Sequence, residues 1–177
     1  MSHYLTEMKP NRFNQTAMTA LLAVIAAGIA ARAWLLWSTP LVPGMNGGYY
    51  LVQARALLEH GRLGIPDLPL TFILQATVAK LLQLLTGRGL ESSVLPSVRL
   101  CDALLPPLVA VPVFLLGRIW CVQNNRGVWP AVVAAAGVAL GTPALTMVGD
   151  FEKNSLGLVW LAGLVFALHA WTARRCC

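Results

Sequence analysis

Charged side chains are scarce in this chain. Asp, Glu, Lys and Arg make up only 11% of its 177 residues, and just seven of these residues are acidic. A soluble domain carries about 25% charged residues, whereas this sequence is 57% hydrophobic and has a mean hydropathy of +0.67. The shortage of charge therefore argues against a soluble domain and predicts an all-α polytopic membrane protein.

Short signature motifs are missing as well. The sequence contains no P-loop, nucleophile elbow, zinc signature or dinucleotide fingerprint. Its four cysteines have neither the paired spacing of a metal site nor the framework of a small secreted domain. The net charge of +6 comes from basic residues scattered beside apolar runs, which is typical of membrane helices and not of a nucleic-acid surface. We therefore expect a lipid bilayer around the chain and no nucleic-acid partner.

Four apolar runs predict about four transmembrane helices, at 16–37, 98–121, 128–148 and 155–173. A fifth run, 68–87, is long enough to cross but contains Gln75, Lys80 and Gln83, so it either crosses or lies along the interface. The distribution of basic residues beside the spans favours four crossings, with the N-terminus in the cytoplasm. We expect the plasma (inner) membrane as the location.

On this topology residues 38–97 form one long external loop with two juxtamembrane helices. The stretch "GGYYLVQARALLEHG" at 47–61 places apolar side chains at helical spacing and Gln53 on the opposite face. It predicts a helix lying on the membrane surface, and the run 68–87 is the second such helix. The chain then comprises three parts: a cytoplasmic N-terminus (1–15), a transmembrane module (16–173) and a cytoplasmic tail (174–177).

The densest group of ionisable residues is "GDFEKN" at 149–154, between two apolar runs. Asp150 and Glu152, two residues apart, have the oxygen ligands that one hard divalent cation such as Mg²⁺ or Mn²⁺ prefers. The alternative is ordinary helix capping, because acidic residues at a helix N-terminus stabilise the helix dipole. The sequence leaves both interpretations open.

Ionisable residues within apolar runs are a second group of candidates, because such residues are costly in a membrane and are often functional. Arg99 and Asp102 lie at i, i+3 and can pair with each other. Arg32 can extend to the interface or bind the phosphate of a lipid carrier. Asp67 and Asn46, in the external loop, are also common turn residues.

The order of these features resembles the N-terminal part of the GT-C superfamily of membrane glycosyltransferases. Members include protein O-mannosyltransferases, lipid A aminoarabinose transferases and oligosaccharyltransferase catalytic subunits. The likeness lies in the long first loop with its "YY" helix, in the Asp67-Leu68-Pro69 turn, in the span that begins "SVRLCDALL", and in the small acidic loop. It implies transfer of a sugar from a polyprenyl-phosphate-linked donor to an acceptor on the extracytoplasmic face.

The resemblance also implies roles for individual residues. Catalytic roles fall to Asp67 and to Asn46, which stands where the family pattern has an acid and which can hydrogen-bond but not act as a base. Binding of the carrier phosphate falls to Arg32, Arg99 and Lys153. Metal binding falls to Asp150 and Glu152.

Two alternatives stay open at this stage. GT-C transferases have more spans than the four predicted here, so we expect the chain to be the front end of a longer protein or a short protein built on the same module. The sequence does not decide whether the chain is itself an enzyme. A non-catalytic membrane subunit or a lipid-carrier-binding protein is the main alternative, and a transporter is a second one.

Overall fold

A computed structural model describes residues 12–40, 42–44, 46–149 and 152–175. Within these ranges the regular structure is entirely helical, which confirms the all-α prediction. The helices are α1 (Arg12–Trp37), α2 (Gly47–His60), α3 (Leu70–Thr86), α4 (Leu90–Leu104), a 3₁₀ turn (Pro106–Val109), α5 (Ala110–Gln123), α6 (Trp129–Leu140), α7 (Thr142–Thr146) and α8 (Glu152–Arg175).

Four segments among the described residues are long and apolar enough to cross a bilayer. They are Gln15–Trp37, Leu90–Gln123, Trp129–Thr146 and Lys153–Thr172. The two helices expected in the long loop are present as α2 and α3, and α3 is a shorter apolar helix. The prediction of a multi-pass membrane protein with two additional helices is therefore confirmed.

The second span differs from its predicted bounds. The helix that leads into it begins at Leu90, so residues 90–97, which were predicted as part of the external loop, are helical. Pro96 lies within α4, and its missing N–H makes a helix boundary the natural expectation from sequence. Membrane helices tolerate such a proline when neighbouring groups satisfy the freed backbone.

The described residues divide into two compact units, each assembled from separate stretches of chain. Among the described residues, unit 1 comprises 12–28, 107–141 and 157–175, and unit 2 comprises those between 29 and 106 and between 142 and 156. The core of unit 1 is built largely of small and aliphatic side chains from α1, α5 and α6: Ala17, Leu21, Ala110, Phe114, Cys121, Ala131, Val132, Ala135 and Ala139. Small residues let membrane helices approach closely, and that proximity favours their association.

The closest approach in unit 1 joins α5 to α6 at a glycine. A Cβ added at Gly117 would lie 2.9 Å from the Cβ and 3.0 Å from the Cα of Ala131. We expect Gly117→Ala to lower the free energy of unfolding by about 1–3 kcal/mol, because backbone atoms would have to move apart. Gly137→Ala on α6 is the matched control, since a Cβ there meets nothing within 4 Å. Equal thermal stability of the two variants in detergent would contradict this packing.

Unit 2 holds α2, α3 and α4 around a mixed aliphatic and aromatic core. Tyr50 and Phe72 are almost fully buried. Their rings and that of Tyr49 lie with centroids 5.8 Å apart in each pairing, within the range of favourable aromatic contact. This cluster fixes α2 against α3 and holds Tyr49 in place.

The polar face predicted for α2 is wrong at one residue. Gln53 is fully buried, and its side chain makes three hydrogen bonds to the segment after the helix. Its Nε2 donates to the Ile65 carbonyl at 2.8 Å, and its Oε1 accepts from the Gly64 and Ile65 amides at 2.8 and 3.2 Å. A buried amide is stable when its donors and acceptors are paired in this way, and Gln53 therefore anchors the turn that leads to Asp67.

Candidate functional site

A buried ion pair joins the first span to the second. Arg32 and Asp102 are both almost fully buried, and the guanidinium Nη2 donates to Asp102 Oδ1. The i, i+3 spacing suggested that Asp102 pairs with Arg99, but in the structure Asp102 pairs with Arg32. The Arg32 guanidinium is therefore buried and paired within the protein.

Arg32 also satisfies backbone groups that a proline and a helix end leave free. Pro106 has no N–H, so it cannot donate to the carbonyl of Asp102 four residues earlier. Arg32 Nε donates to that carbonyl instead, at 2.7 Å. Its Nη1 donates at 2.7 Å to the carbonyl of Ala144 in the last turn of α7, where carbonyls lack helical partners.

The second oxygen of Asp102 reaches the turn between α7 and α8. Asp102 Oδ2 accepts from the Gly149 amide at 2.8 Å. Gly149 has φ +79°, and a Cβ there would collide with the carbonyl oxygen of Pro43. Only glycine adopts this conformation at so close an approach without strain.

Arg99 is also buried but has few partners. Its Nη2 donates to the Thr39 carbonyl at 2.7 Å, and its guanidinium carbon lies 5.7 Å from the centroid of the Trp37 ring. Its Nε is buried without a hydrogen-bond partner. Among the described acidic side chains, none forms an ion pair with Arg99.

A partly exposed polar cluster in unit 2 is built on Asp67, and we call Tyr49, Asp67 and Lys153 the carboxylate cluster. Lys153 Nζ and Tyr49 Oη each donate to Asp67 Oδ2 at 2.5 Å. The Leu68 amide donates to Asp67 Oδ1 at 2.7 Å. The side chains of Lys153 and Asp67 are 34% and 15% exposed, so the cluster is accessible to a ligand.

Two of the three residues in the carboxylate cluster were candidates from sequence, and the structure brings them together although 86 residues separate them. Tyr49 was missed as a site residue, and Gln53, which supports it by donating from Nε2 to Tyr49 Oη at 2.9 Å, was missed too. The tyrosine pair was visible as "YY", but nothing in the spacing indicated which hydroxyl would meet Asp67.

Lys153 determines the electrostatics of the carboxylate cluster. The hydrogen bond from Lys153, followed by those from Tyr49 and from the Leu68 amide, lowers the pKa of Asp67 from 3.8 to about 2. The Lys153 ammonium also lies 5.5 Å from the centroid of the Tyr49 ring, which favours the cation at this position. Asp67 is therefore an anion across the physiological pH range.

The lowered pKa of Asp67 gives a pH dependence with a definite sign. A folded-state pKa below the unfolded one contributes stability above the unfolded value, and this contribution is lost as pH falls toward the folded value. We expect the difference in melting temperature between wild type and Asp67→Asn to be constant above about pH 5 and to shrink between about pH 4 and pH 2. A difference that does not change down to pH 2 would contradict the Lys153 contact.

The contact between Asp67 and Lys153 favours an α3 that does not cross the membrane. Atoms 2.5 Å apart lie on one face of the bilayer. Two candidate spans, Leu90–Gln123 and Trp129–Thr146, separate these residues in the chain, and two crossings return it to the same face. A third crossing by α3 would place them on opposite faces. At 17 residues, α3 is also only about 25 Å long, less than the roughly 30 Å apolar core of a bilayer.

The remaining candidates are not brought into the carboxylate cluster by any described contact. Asn46 is exposed, and its backbone carbonyl accepts from the Tyr49 amide at 3.0 Å, which begins α2. Asp150 and the side chain of Glu152 lie outside the described residues, so the predicted metal site stays a prediction. Among the described residues, no group of three His, Cys, Asp or Glu side chains has the arrangement of a metal site.

Comparison with known proteins gives no further guidance: no protein-family model, curated protein or solved structure matches the chain. The residues, their contacts and the order of the helices are therefore the basis for the functional argument.

Proposed function

We propose that this chain is, or forms part of, a membrane glycosyltransferase that transfers a sugar from a polyprenyl-phosphate-linked donor to an acceptor on the extracytoplasmic face. The observation that carries the proposal is the Lys153–Asp67 contact. In this contact a cation lies beside a carboxylate, both are partly exposed, and Lys153 is the first residue of a candidate span. A lipid-linked sugar phosphate would need a cation of this kind for its phosphate and a carboxylate for the acceptor hydroxyl.

The reaction needs the two charges for different steps. The bond between the sugar C1 and the phosphate oxygen breaks, and the electron pair leaves with the polyprenyl phosphate, where Lys153 stabilises the growing negative charge. A bond forms between C1 and the acceptor hydroxyl, whose proton passes to Asp67. Asn46 is the further candidate to orient that hydroxyl.

In its described state Asp67 is a weak base, because Lys153 and Tyr49 share one of its oxygens. Movement of Lys153 from Asp67 to the donor phosphate would raise the basicity of the carboxylate as the donor arrives. The described contact is then the resting state of the site. The same exchange would tie proton transfer to donor binding.

Arg99 is the second candidate for the carrier phosphate. A buried guanidinium with an unpaired Nε carries a desolvation cost that an anion would offset. Its neighbour Trp37 is 47% exposed, as expected of an aromatic side chain at a membrane interface. A divalent metal held by Asp150 and Glu152 remains part of the proposal, and it would supply further positive charge at the phosphate.

The proposal is tested with the purified chain in lipid nanodiscs and synthetic polyprenyl-phosphate-linked pentose and hexose donors. We expect release of polyprenyl phosphate, followed by mass spectrometry, only when a hydroxyl-bearing acceptor is added. If the metal takes part, EDTA lowers the rate and Mg²⁺ or Mn²⁺ restores it. Asp150→Asn combined with Glu152→Gln should then abolish turnover while expression is maintained.

The principal alternative is a non-catalytic subunit that binds the lipid carrier. The pairing of Asp67 with Lys153 and the presence of Asn at position 46 fit this alternative, because the paired carboxylate is a weak base and an amide is not a base. Saturable donor binding without release of polyprenyl phosphate, for any sugar tested, would favour the binding subunit over the transferase.

A further inference from the structure

We propose that the buried Arg32–Asp102 pair is a positioning device that holds the turn between α7 and α8 and so keeps Lys153 against Asp67. Neither residue touches the carboxylate cluster in the described contacts. The relevance of this positioning to sugar transfer rests on the proposed function, whereas the positioning itself does not.

The pair holds the turn at two points. Arg32 Nη1 donates to the Ala144 carbonyl before the turn, and Asp102 Oδ2 accepts from the Gly149 amide at its end. One ion pair therefore holds Ala144 and Gly149, on the two sides of residues 145–148. Loss of either partner would free one side.

The turn is also pressed against the segment that precedes α2. The carbonyl of Pro43 leaves no room for a side chain at Gly149, and Val42 and Val148 are buried in the same core cluster. The turn thus has a defined position relative to α2, the helix that carries Tyr49. A shift of the turn would change the distance between Lys153 and its partners on that side.

Lys153 follows Gly149 by four residues, and its backbone contacts α2 while its side chain contacts the segment before α3. Its amide lies 3.5 Å from the Tyr50 hydroxyl, and its Nζ contacts Asp67. Gly149, held by Asp102, and Lys153, held by Tyr50 and Asp67, are therefore separated by only three residues of chain.

Energetics supports a role beyond stability. A buried ion pair loses much of its Coulombic gain to desolvation, and apolar residues of similar volume often serve stability equally well. Here the two charges make four described hydrogen bonds, two of which go to the turn or to the helix before it. An apolar pair would fill the same space but would leave the Ala144 carbonyl and the Gly149 amide without these partners.

The test is the rate at which an amine-reactive ester modifies Lys153 relative to Lys80, followed by mass spectrometry on the full chain in nanodiscs. Lys80 is exposed on α3 and serves as the internal reference. Asp67→Asn, which removes the carboxylate that holds Lys153, sets the value for a released amine. We expect Asp102→Asn to move the ratio toward that value, by about threefold or more, because the turn opens locally.

Two further variants keep the test decisive if Asp102→Asn fails to fold. Gly149→Ala leaves the ion pair intact and displaces only the turn, and Arg32→Lys keeps the charge but loses the fork that reaches Ala144; both should raise the ratio. Ser97→Ala is the control, because Ser97 is buried on α4 and its hydroxyl donates only to the Val94 carbonyl of its own helix. It should leave the ratio unchanged.

An unchanged ratio in the folded Asp102 and Gly149 variants would overturn the proposal, as would an equal rise in Ser97→Ala. The labelling requires no donor, so its outcome is independent of the transfer assay. A raised ratio together with no transfer by wild type would uphold the positioning and reject the transferase. Transfer by wild type with no change in labelling would uphold the transferase and reject the positioning.

Discussion

Replacing Asp67 with Asn is expected to lower the rate of sugar transfer by a factor of about 10² to 10⁴, the range that a positioned general base contributes. Asn has nearly the same shape, so the turn before α3 is retained. The amide cannot take a proton from the acceptor, and it no longer offers Lys153 a carboxylate. Both losses act on the chemical step, so we expect the effect in kcat, measured as release of polyprenyl phosphate.

Glu91→Gln is the matched control for Asp67→Asn. It also removes one negative charge, and Glu91 lies at the start of the second span with its side chain 70% exposed and paired with Arg55. Exposed ion pairs contribute little to stability, so transfer and melting temperature should stay near wild type. A folded Asp67→Asn variant with wild-type kcat would remove Asp67 from the reaction.

The largest effect on stability is expected at the buried pair. Asp102→Leu should lower the free energy of unfolding by about 3–5 kcal/mol, because it leaves the Arg32 guanidinium buried without a counter-charge. The Gly149 amide would lose its acceptor at the same time. The measurement is a denaturant titration of the purified chain in bicelles.

Arg32→Met, made alone and combined with Asp102→Leu, completes a double-mutant cycle. The double variant buries no unpaired charge and should recover a large part of the stability lost in Asp102→Leu. It should not restore the protection of Lys153, since the turn still lacks both partners. A loss below about 1 kcal/mol in Asp102→Leu would mean that the pair is solvated and contributes no more than a surface ion pair.

Much of the fold follows from composition and periodicity. Long apolar runs indicated the spans, and the glycines that flank "YYLVQARALLEH" indicated α2, which ends at Gly61 with φ +67° as a glycine C-cap. Residues 90–97 were predicted as loop, whereas they form the first turns of α4, where Pro96 lies within the helix although proline often marks a helix boundary. The sequence contains no signal that distinguishes these two uses of proline.

Ion-pair partners could be predicted only in part. Asp67 and Lys153 were each recognised from their positions beside apolar segments, but their contact depends on how two distant parts of the chain pack. Local spacing favoured an Arg99–Asp102 pair, whereas the carbonyl freed by Pro106 draws Arg32 to Asp102 instead. Helical spacing likewise assigned Gln53 to the polar face of α2. Its burial could not be predicted, because most of its hydrogen-bond partners lie in the segment after the helix.

The central claim is that Asp67 and Lys153 form one site on one face of the membrane, and labelling from each face tests it most directly. Single cysteines at Leu68 and Asn154, exposed neighbours of the two residues, leave the contact intact in a background without native cysteines. A third cysteine at Asn125, between the second and third spans, marks the opposite face. We expect an impermeant maleimide to label positions 68 and 154 from one side of sealed vesicles and position 125 from the other. Labelling of positions 68 and 154 from opposite sides would contradict the site, the four-span topology and the proposed function together.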